Sequence, residues 1–213
     1  MPELYRHYKN KPYRYPGTVK HSETLEEMAL YETLYENAEG KLWVRPHGMF
    51  FENVEIEGKE VPRFAKVSVE IEERESVGAA EAELLAPLVK SIFGKWDREY
   101  FFSRVNAHSR FHLGLARIDG KIVGFKLGYA QDAQTFYSWL GAVAPEHRRV
   151  GIASQLMAAQ EAWCRKNGFQ YLQTKTKNRF REMLLLNIKS GFHIVGLIES
   201  EQRGTKIILE KML

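Results

Sequence analysis

A single cysteine, Cys164, among 213 residues excludes an intramolecular disulfide and with it the stapled scaffold of small secreted domains. No apolar run approaches the roughly 20 residues that span a bilayer, so no membrane-spanning helix is expected. Proline (7) and glycine (16) are too sparse for a collagenous or low-complexity chain. The start, Met1 to Arg6, lacks the charged residues and apolar stretch of a secretion signal. The seven histidines show no paired metal spacing. His108 and His112 straddle an expected helix-to-strand change, so no metal site is expected. Together these absences point to a cytoplasmic protein with no membrane partner.

What remains is an ordinary globular composition, 44% hydrophobic and 27% charged, long enough for one large domain or a mid-sized domain with a small module. The net charge of +4 is unevenly spread. Residues 1–65 hold 9 basic and 11 acidic side chains, for −2; the remainder holds 22 and 16, for +6. An anion site is therefore better sought in the C-terminal part.

A composition shift near Val61-Pro62-Arg63-Phe64 places a boundary at about residue 65, dividing the chain into a β-rich module over 1–65 and a larger domain over 66–213. In the module, Leu42-Trp43-Val44 is β-prone, and Val54, Ile56 and Val61 flank the turn signal Glu57-Gly58-Lys59. Segment 24–36 is ambiguous, because Thr24-x-x-Glu27 fits a helical capping box while its apolar residues fit neither period. The second part alternates helix and strand. Helices are expected over Ala79–Phe93, Trp96–Val105, Gly151–Lys166 and Arg179–Lys189. Between them lie strands around Val67–Ile71, Leu113–Leu115, Ile122–Tyr129, Phe136–Val143 and Phe169–Thr174, then two more at the C-terminus. Asp119-Gly120-Lys121 is a hairpin turn signal. The alternation argues for a layered α/β (α+β) domain.

Residues 136–168 carry the chemistry. A hydrophobic strand passes through Ala144-Pro145-Glu146-His147 into Arg148-Arg149-Val150-Gly151-Ile152-Ala153, and a helix follows without a break. A glycine-pinned loop can turn several backbone N–H groups towards one point, and the helix N-terminus behind it adds its positive dipole end. Such a device holds phosphate or pyrophosphate, with Arg148 and Arg149 adding charge. It is neither a P-loop nor a dinucleotide fingerprint. On these residues alone, a capped turn with arginines in solvent stands equally open.

This stretch resembles motif A of the GNAT acyltransferases, Arg/Gln-x-x-Gly-x-Gly/Ala, met here by Arg148, Gly151 and Ala153 with Val143 and Pro145 upstream. Downstream, Leu172 to Asn178 is similar to that family's fifth strand and closing Asn. Met183, Leu186, Gly191 and Phe192 are similar to its helix ending in Gly-Phe, followed by Val195-Gly196. The resemblance covers roughly residues 66–213. It implies a mixed sheet splayed between its fourth and fifth strands, flanked by helices, with acetyl-CoA as co-substrate. It further implies that the backbone near Ala142 and Val143 pairs with the pantetheine arm. The amides of Arg149, Val150, Gly151, Ile152 and Ala153 would hold the pyrophosphate, and Asn178 would lie beside the pantetheine.

One departure concerns proton transfer. Family members that modify protein N-termini use a fifth-strand Glu as base and a Tyr on the next helix as acid. Those positions are Gln173 and Asn187 here, and neither side chain exchanges protons near neutral pH. Tyr137, Ser138 through water, Asp132 or a solvent route remain as alternatives, so Tyr137 and Asn187 are the two positions to test. Other features read as structure: the basic cluster Lys175, Lys177, Arg179 and Arg181 as a solvated face, Trp139 and Trp163 as core, and Cys164 as a buried, inert thiol.

In the N-terminal module, Tyr5, Tyr8, Tyr13 and Tyr15 interleave with cations, a pattern that could stack bases. Residues 21–40, however, hold six Glu and no Lys or Arg, so packed tyrosines are expected and nucleic acid is disfavoured. Leu4 to Phe64 resembles a small bacterial domain of unknown function through Tyr5-Arg6-His7-Tyr8, His21-Ser22-Glu23-Thr24 and Trp43-Val44-Arg45-Pro46. The functional expectation is an N-acetyltransferase acting on a primary amine of a small molecule or peptide. A non-catalytic acyl-CoA binder with an N-terminal recognition module is the alternative. Monomer and dimer are both compatible with the sequence.

Overall fold

Alternating aromatic residues build the first of two units. The computed structural model describes residues 3–199 and 204–213. Contacts divide the chain into a unit that runs to Val69 and includes Pro145–Gly151, and a second that comprises Glu70–Ala144 and Ile152–Leu213. In the first, β1 (Glu3–His7), β2 (Pro12–Lys20), β3 (Glu27–Thr33) and β4 (Leu42–Pro46) lead to a short helix, α1 (His47–Phe51). The hairpin β5 (Asn53–Ile56) and β6 (Lys59–Pro62) follows, then β7 (Phe64–Lys66). Five strands form one sheet in the order β4-β3-β2-β1-β7. Tyr5, Tyr31, Phe50 and Phe64 are buried in its core, with Tyr13 and Tyr15 packed against them. Phe50 and Phe64 stack at 4.1 Å, and α1 exists to drop Phe50 into this cluster. Three of the four N-terminal tyrosines are thus spent on packing, which leaves few rings for base stacking.

The ambiguous segment resolves as strand. Instead of opening a helix, Leu25 takes a left-handed φ of 59° and β3 starts at Glu27. The apolar period is blurred because β3 has neighbours on both sides and buries both faces near its end. Ala29 and Tyr31 face the aromatic core, while Glu32, 3% exposed, is paired with Arg14 and Lys41.

The second unit alternates as expected: β8 (Glu70–Arg74), α2 (Ala79–Phe93), α3 (Arg98–Asn106), β9 (Phe111–Ile118), β10 (Lys121–Ala130), β11 (Thr135–Val143), α4 (Ile152–Lys166), β12 (Tyr171–Thr176), α5 (Arg181–Lys189), β13 (His193–Ile198) and β14 (Lys206–Met212). Caps fix the first helices. The Glu81 carboxylate accepts from the Gly78 N–H at 2.9 Å before α2, and Asp97 accepts from the Tyr100 N–H at 2.9 Å before α3. Asp119 and Gly120, with φ of 49° and 75°, make the tight β9–β10 turn. Seven strands lie in the order β13-β14-β12-β11-β10-β9-β8, and only β11–β12 is a parallel pair. Leu85 and Val89 of α2 and Phe101 of α3 cover one face together with Leu113, Leu115, Phe125 and Leu127. Trp163 and Cys164 of α4 cover the other face with Phe136, Leu172 and Leu209, and Leu184 of α5 packs against them.

Two features of β10 and β11 position the site. First, β11 pairs with β12 only from Thr135↔Tyr171 to Ser138↔Thr174, and beyond Ser138 the two strands part. Second, Leu127 pairs with Leu140 but Gly128 with Ser138, so Trp139 is a bulged residue at the point of divergence. Gly128 makes this possible, since a Cβ there would stand 2.3 Å from the Phe136 ring and 2.7 Å from the Tyr137 carbonyl.

Lys126, 8% exposed, lies in the layer between β10 and α4. Burial pushes its ammonium down to about 8, partly offset by Glu161. Glu161 has its own partner, accepting from Lys211 Nζ at 2.7 Å.

Gly128→Ala is expected to cost about 3 kcal/mol, the upper end for overpacking, measured by denaturant unfolding; an unchanged midpoint would show that β11 yields freely. Lys126→Met is expected to stabilise the fold at pH 7 by about 1–2 kcal/mol, because it removes a buried charge and leaves Glu161 paired. The folded pKa lies below that of the unfolded chain, so the unfolded chain holds the extra proton and parental stability gains with pH between about 8 and 10. The variant's advantage should shrink over that interval, and an advantage independent of pH would contradict a charged Lys126.

Candidate functional site

Beyond Ser138 the pairing of β11 with β12 stops, and the two strands diverge along the rest of β11. Ala142 is buried and belongs to the core on the α2 side, while Val143 ends the strand opposite Gly124. The chain then makes a 3-10 turn over Pro145–His147 and enters α4 at Ile152. Between them Arg149 and Gly151 take left-handed φ values of 67° and 86°. For Arg149, a residue with a side chain, that conformation is uncommon. Val150 and Ile152 are buried and anchor the loop, leaving the Arg148 and Arg149 side chains exposed and Ala153 half-buried. Within the first unit, Arg14 Nη1 donates to the Arg149 carbonyl at 3.3 Å. The first turn of α4 contains no acidic residue, so nothing in that turn offsets the dipole's positive end. Asn178 lies exposed in the turn after β12.

A cavity of ~450 Å³ opens beside the divergence point. Its walls come from the end of α2, the start of α3, Trp139 and Leu140 of β11, and Arg179-Phe180 ahead of α5. Trp139 is therefore more than core: half-buried, it packs on Phe101 at 5.5 Å and also lines the cavity. Arg179, read from sequence as part of a solvated basic face, stands at the rim.

Tyr137 lies on the same sheet face as α2 and α3, with Lys175 Nζ 5.2 Å from its ring centre. Burial and the nearby Tyr129 hold its phenol well above the ordinary range, so it stays a neutral donor. Ser138 is buried, and its carbonyl accepts from Thr174 Oγ1 at 2.9 Å. Asp132 is engaged at the far end of β11, accepting from the Gln134 and Thr135 N–H groups at 2.8 and 2.7 Å, which lowers its pKa. Asn187 is 1% exposed, and neither end of its amide finds a partner. Burial raises the Cys164 thiol to about 12, leaving it inert. His108 stacks on Tyr129 at 3.8 Å, whereas His112 meets Glu73 at 2.9 Å, so the two are not co-ligands. Among the described residues no group of three or more His, Cys, Asp or Glu could hold a metal ion.

One residue went unnoticed in the sequence. Glu210 of β14 stands directly opposite Gln173 and accepts from its Nε2 at 3.2 Å. By alternation Gln173 and Lys175 share a face, and Lys175 lies over Tyr137, so Glu210 is on the cavity side of the sheet. Only the β12–β14 register reveals this.

Residues 80–182 match the acetyltransferase (GNAT) family. The chain carries a GNAT-family acetyltransferase domain. Ahead of it, residues 3–66 match DUF1653, a family of unknown function. Comparison with curated proteins finds no match. Among solved structures, the GNAT domain is similar to a GNAT family acetyltransferase from Elizabethkingia anophelis with acetyl-CoA bound (19% identity, TM-score 0.56, covering 68% of this chain and 98% of that one). It is also similar to Arabidopsis thaliana Naa50 in complex with a bisubstrate analogue (18%, 0.56, 69% and 100%). A third is the ribosomal-protein-S18-alanine N-acetyltransferase from Escherichia coli (16%, 0.57, 68% and 94%). At these identities the likeness establishes the fold, including the splayed sheet.

A buried amide without partners costs stability that an apolar isostere does not. Asn187→Leu is therefore expected to be neutral or up to about 1 kcal/mol stabilising in thermal unfolding. A marked loss of stability would mean that the amide is hydrogen-bonded in solution.

Proposed function

We propose that the protein transfers the acetyl group of acetyl-CoA to a primary amine. The observation that carries this reading is the parting of β11 and β12 immediately ahead of a loop with two left-handed residues that runs into α4. In this reading the pantetheine arm runs along β11 at Ala142 and Val143, where β12 has diverged. The pyrophosphate lies against the N–H groups of Arg149, Val150, Gly151, Ile152 and Ala153, with Arg148 and Arg149 contributing charge. Asn178 borders the pantetheine. The acetyl-CoA complex of the Elizabethkingia protein supports the choice of coenzyme.

The chemistry is attack of a neutral amine nitrogen on the thioester carbonyl. A C–N bond forms, the C–S bond breaks, one proton leaves the nitrogen and the CoA thiolate departs. Gln173 cannot take that proton. Glu210, held beside Gln173 on the cavity side, is the carboxylate placed to receive it through water, while Tyr137 serves as a neutral hydrogen-bond donor. Asn187, sealed in the interior, serves packing.

Gly151→Trp combines a forbidden φ with a ring in the space assigned to the pyrophosphate. It is expected to weaken acetyl-CoA binding at least 100-fold in calorimetry; unchanged affinity would remove the site from this loop. Glu210→Gln should lower kcat/KM by about 10²-fold, as loss of a general base does. Activity within twofold of the parent would assign the proton to solvent. Coenzyme binding with no turnover across a broad amine panel would favour a non-catalytic acyl-CoA binder.

A further inference from the structure

The cavity beside the divergence point is unusual in its lining. Trp96, Tyr100, Phe101 and Trp139 form a connected aromatic wall, with successive ring centres 4.9 Å (Trp96–Phe101), 5.5 Å (Phe101–Trp139) and 6.3 Å (Trp139–Tyr100) apart. Phe93 and Phe180 meet edge-on at 6.3 Å on another side. The charged residues at the rim are Lys95, Arg179 and Asp97. Asp97 is committed, because its carboxylate caps α3 through the Tyr100 N–H. Lys95 and Arg179 are exposed, and neither pairs with a carboxylate among the described residues. The Arg179 guanidinium lies over the Phe180 ring at 4.8 Å, which orients it without neutralising it.

We infer that the acceptor is an aromatic primary amine bearing a carboxylate, of the aromatic α-amino acid class. This rests on the reading of the GNAT domain as an amine acetyltransferase. An aromatic body fits the wall by stacking and edge-to-face contact. The two cations supply a bidentate partner and a point charge for an anionic group at the rim. They also disfavour a protonated amine near them, which favours the neutral, nucleophilic form. The same arrangement selects against polyamines and aminoglycosides, since a polycation would meet two like charges and a single, already engaged carboxylate. The acetyl group moves as described above: the amine nitrogen bonds to the acyl carbon, CoA leaves as thiolate, and the amine proton passes to the base.

The test uses the full chain with acetyl-CoA and follows release of free thiol. Phenylalanine, phenethylamine and spermidine are compared as acceptors. Phenylalanine is expected to give a kcat/KM at least 10-fold above phenethylamine, with spermidine lower still. In the Lys95→Gln/Arg179→Gln double variant the first ratio should fall to within twofold. Both residues are exposed, so the core is undisturbed by their replacement. A preference for spermidine or phenethylamine, or a phenylalanine preference that survives in the double variant, would overturn the inference. Parallel calorimetry separates the two levels of the argument. Acetyl-CoA binding without turnover of phenylalanine overturns this inference alone, whereas no acetyl-CoA binding removes the coenzyme reading and this inference with it.

Discussion

The second unit depends on one strand doing two incompatible things. β11 is hydrogen-bonded to β10 along nearly its whole length, yet keeps β12 for only its first four residues. A continuous sheet would satisfy more backbone groups. The strand is instead held in this state by the bulge at Trp139 and by Gly128, whose missing side chain lets Phe136 and the Tyr137 carbonyl approach. Cores on both faces then fix β11: α2 and α3 pack on one side, α4 and α5 on the other. The opening between β11 and β12 is therefore built into the fold as a stable feature.

From that constraint the remaining parts take their places. The same strand that parts from β12 also delivers the chain to the Pro145–Gly151 turn, whose left-handed residues orient the entry to α4. The bulge throws Trp139 into the cavity wall, so the cavity and the divergence of the strands meet at one point. Glu210 reaches the same face from β14 because β14 completes the sheet next to β12. A divergent strand end, a loop with two left-handed residues, a cavity and a carboxylate within the sheet follow from one topology.

Much of this was legible in the sequence, for identifiable reasons. Helices α2 and α4 carry long apolar periods, and the Asp119-Gly120 turn announces its hairpin. The loop was legible because Arg148, Gly151 and Ala153 sit at fixed spacing behind a strand. Strand β3 was not, since a strand buried on both faces loses its alternation and Thr24-x-x-Glu27 mimics a helix start. Glu210 was invisible for a different reason: its partner Gln173 lies 37 positions away, and only strand register pairs them. The cavity wall was equally hidden, because Trp96 and Tyr100 around the start of α3 meet Trp139 of β11 only through the tertiary fold.

The central claim is that residues 142–153 and 178 form a coenzyme site. Isothermal titration of the purified protein with acetyl-CoA, and in parallel with free CoA, tests it most directly. The account predicts micromolar binding of both, since the pyrophosphate and pantetheine contacts are common to the two. No heat of binding up to millimolar acetyl-CoA would contradict it and reduce the loop to a strand-to-helix turn.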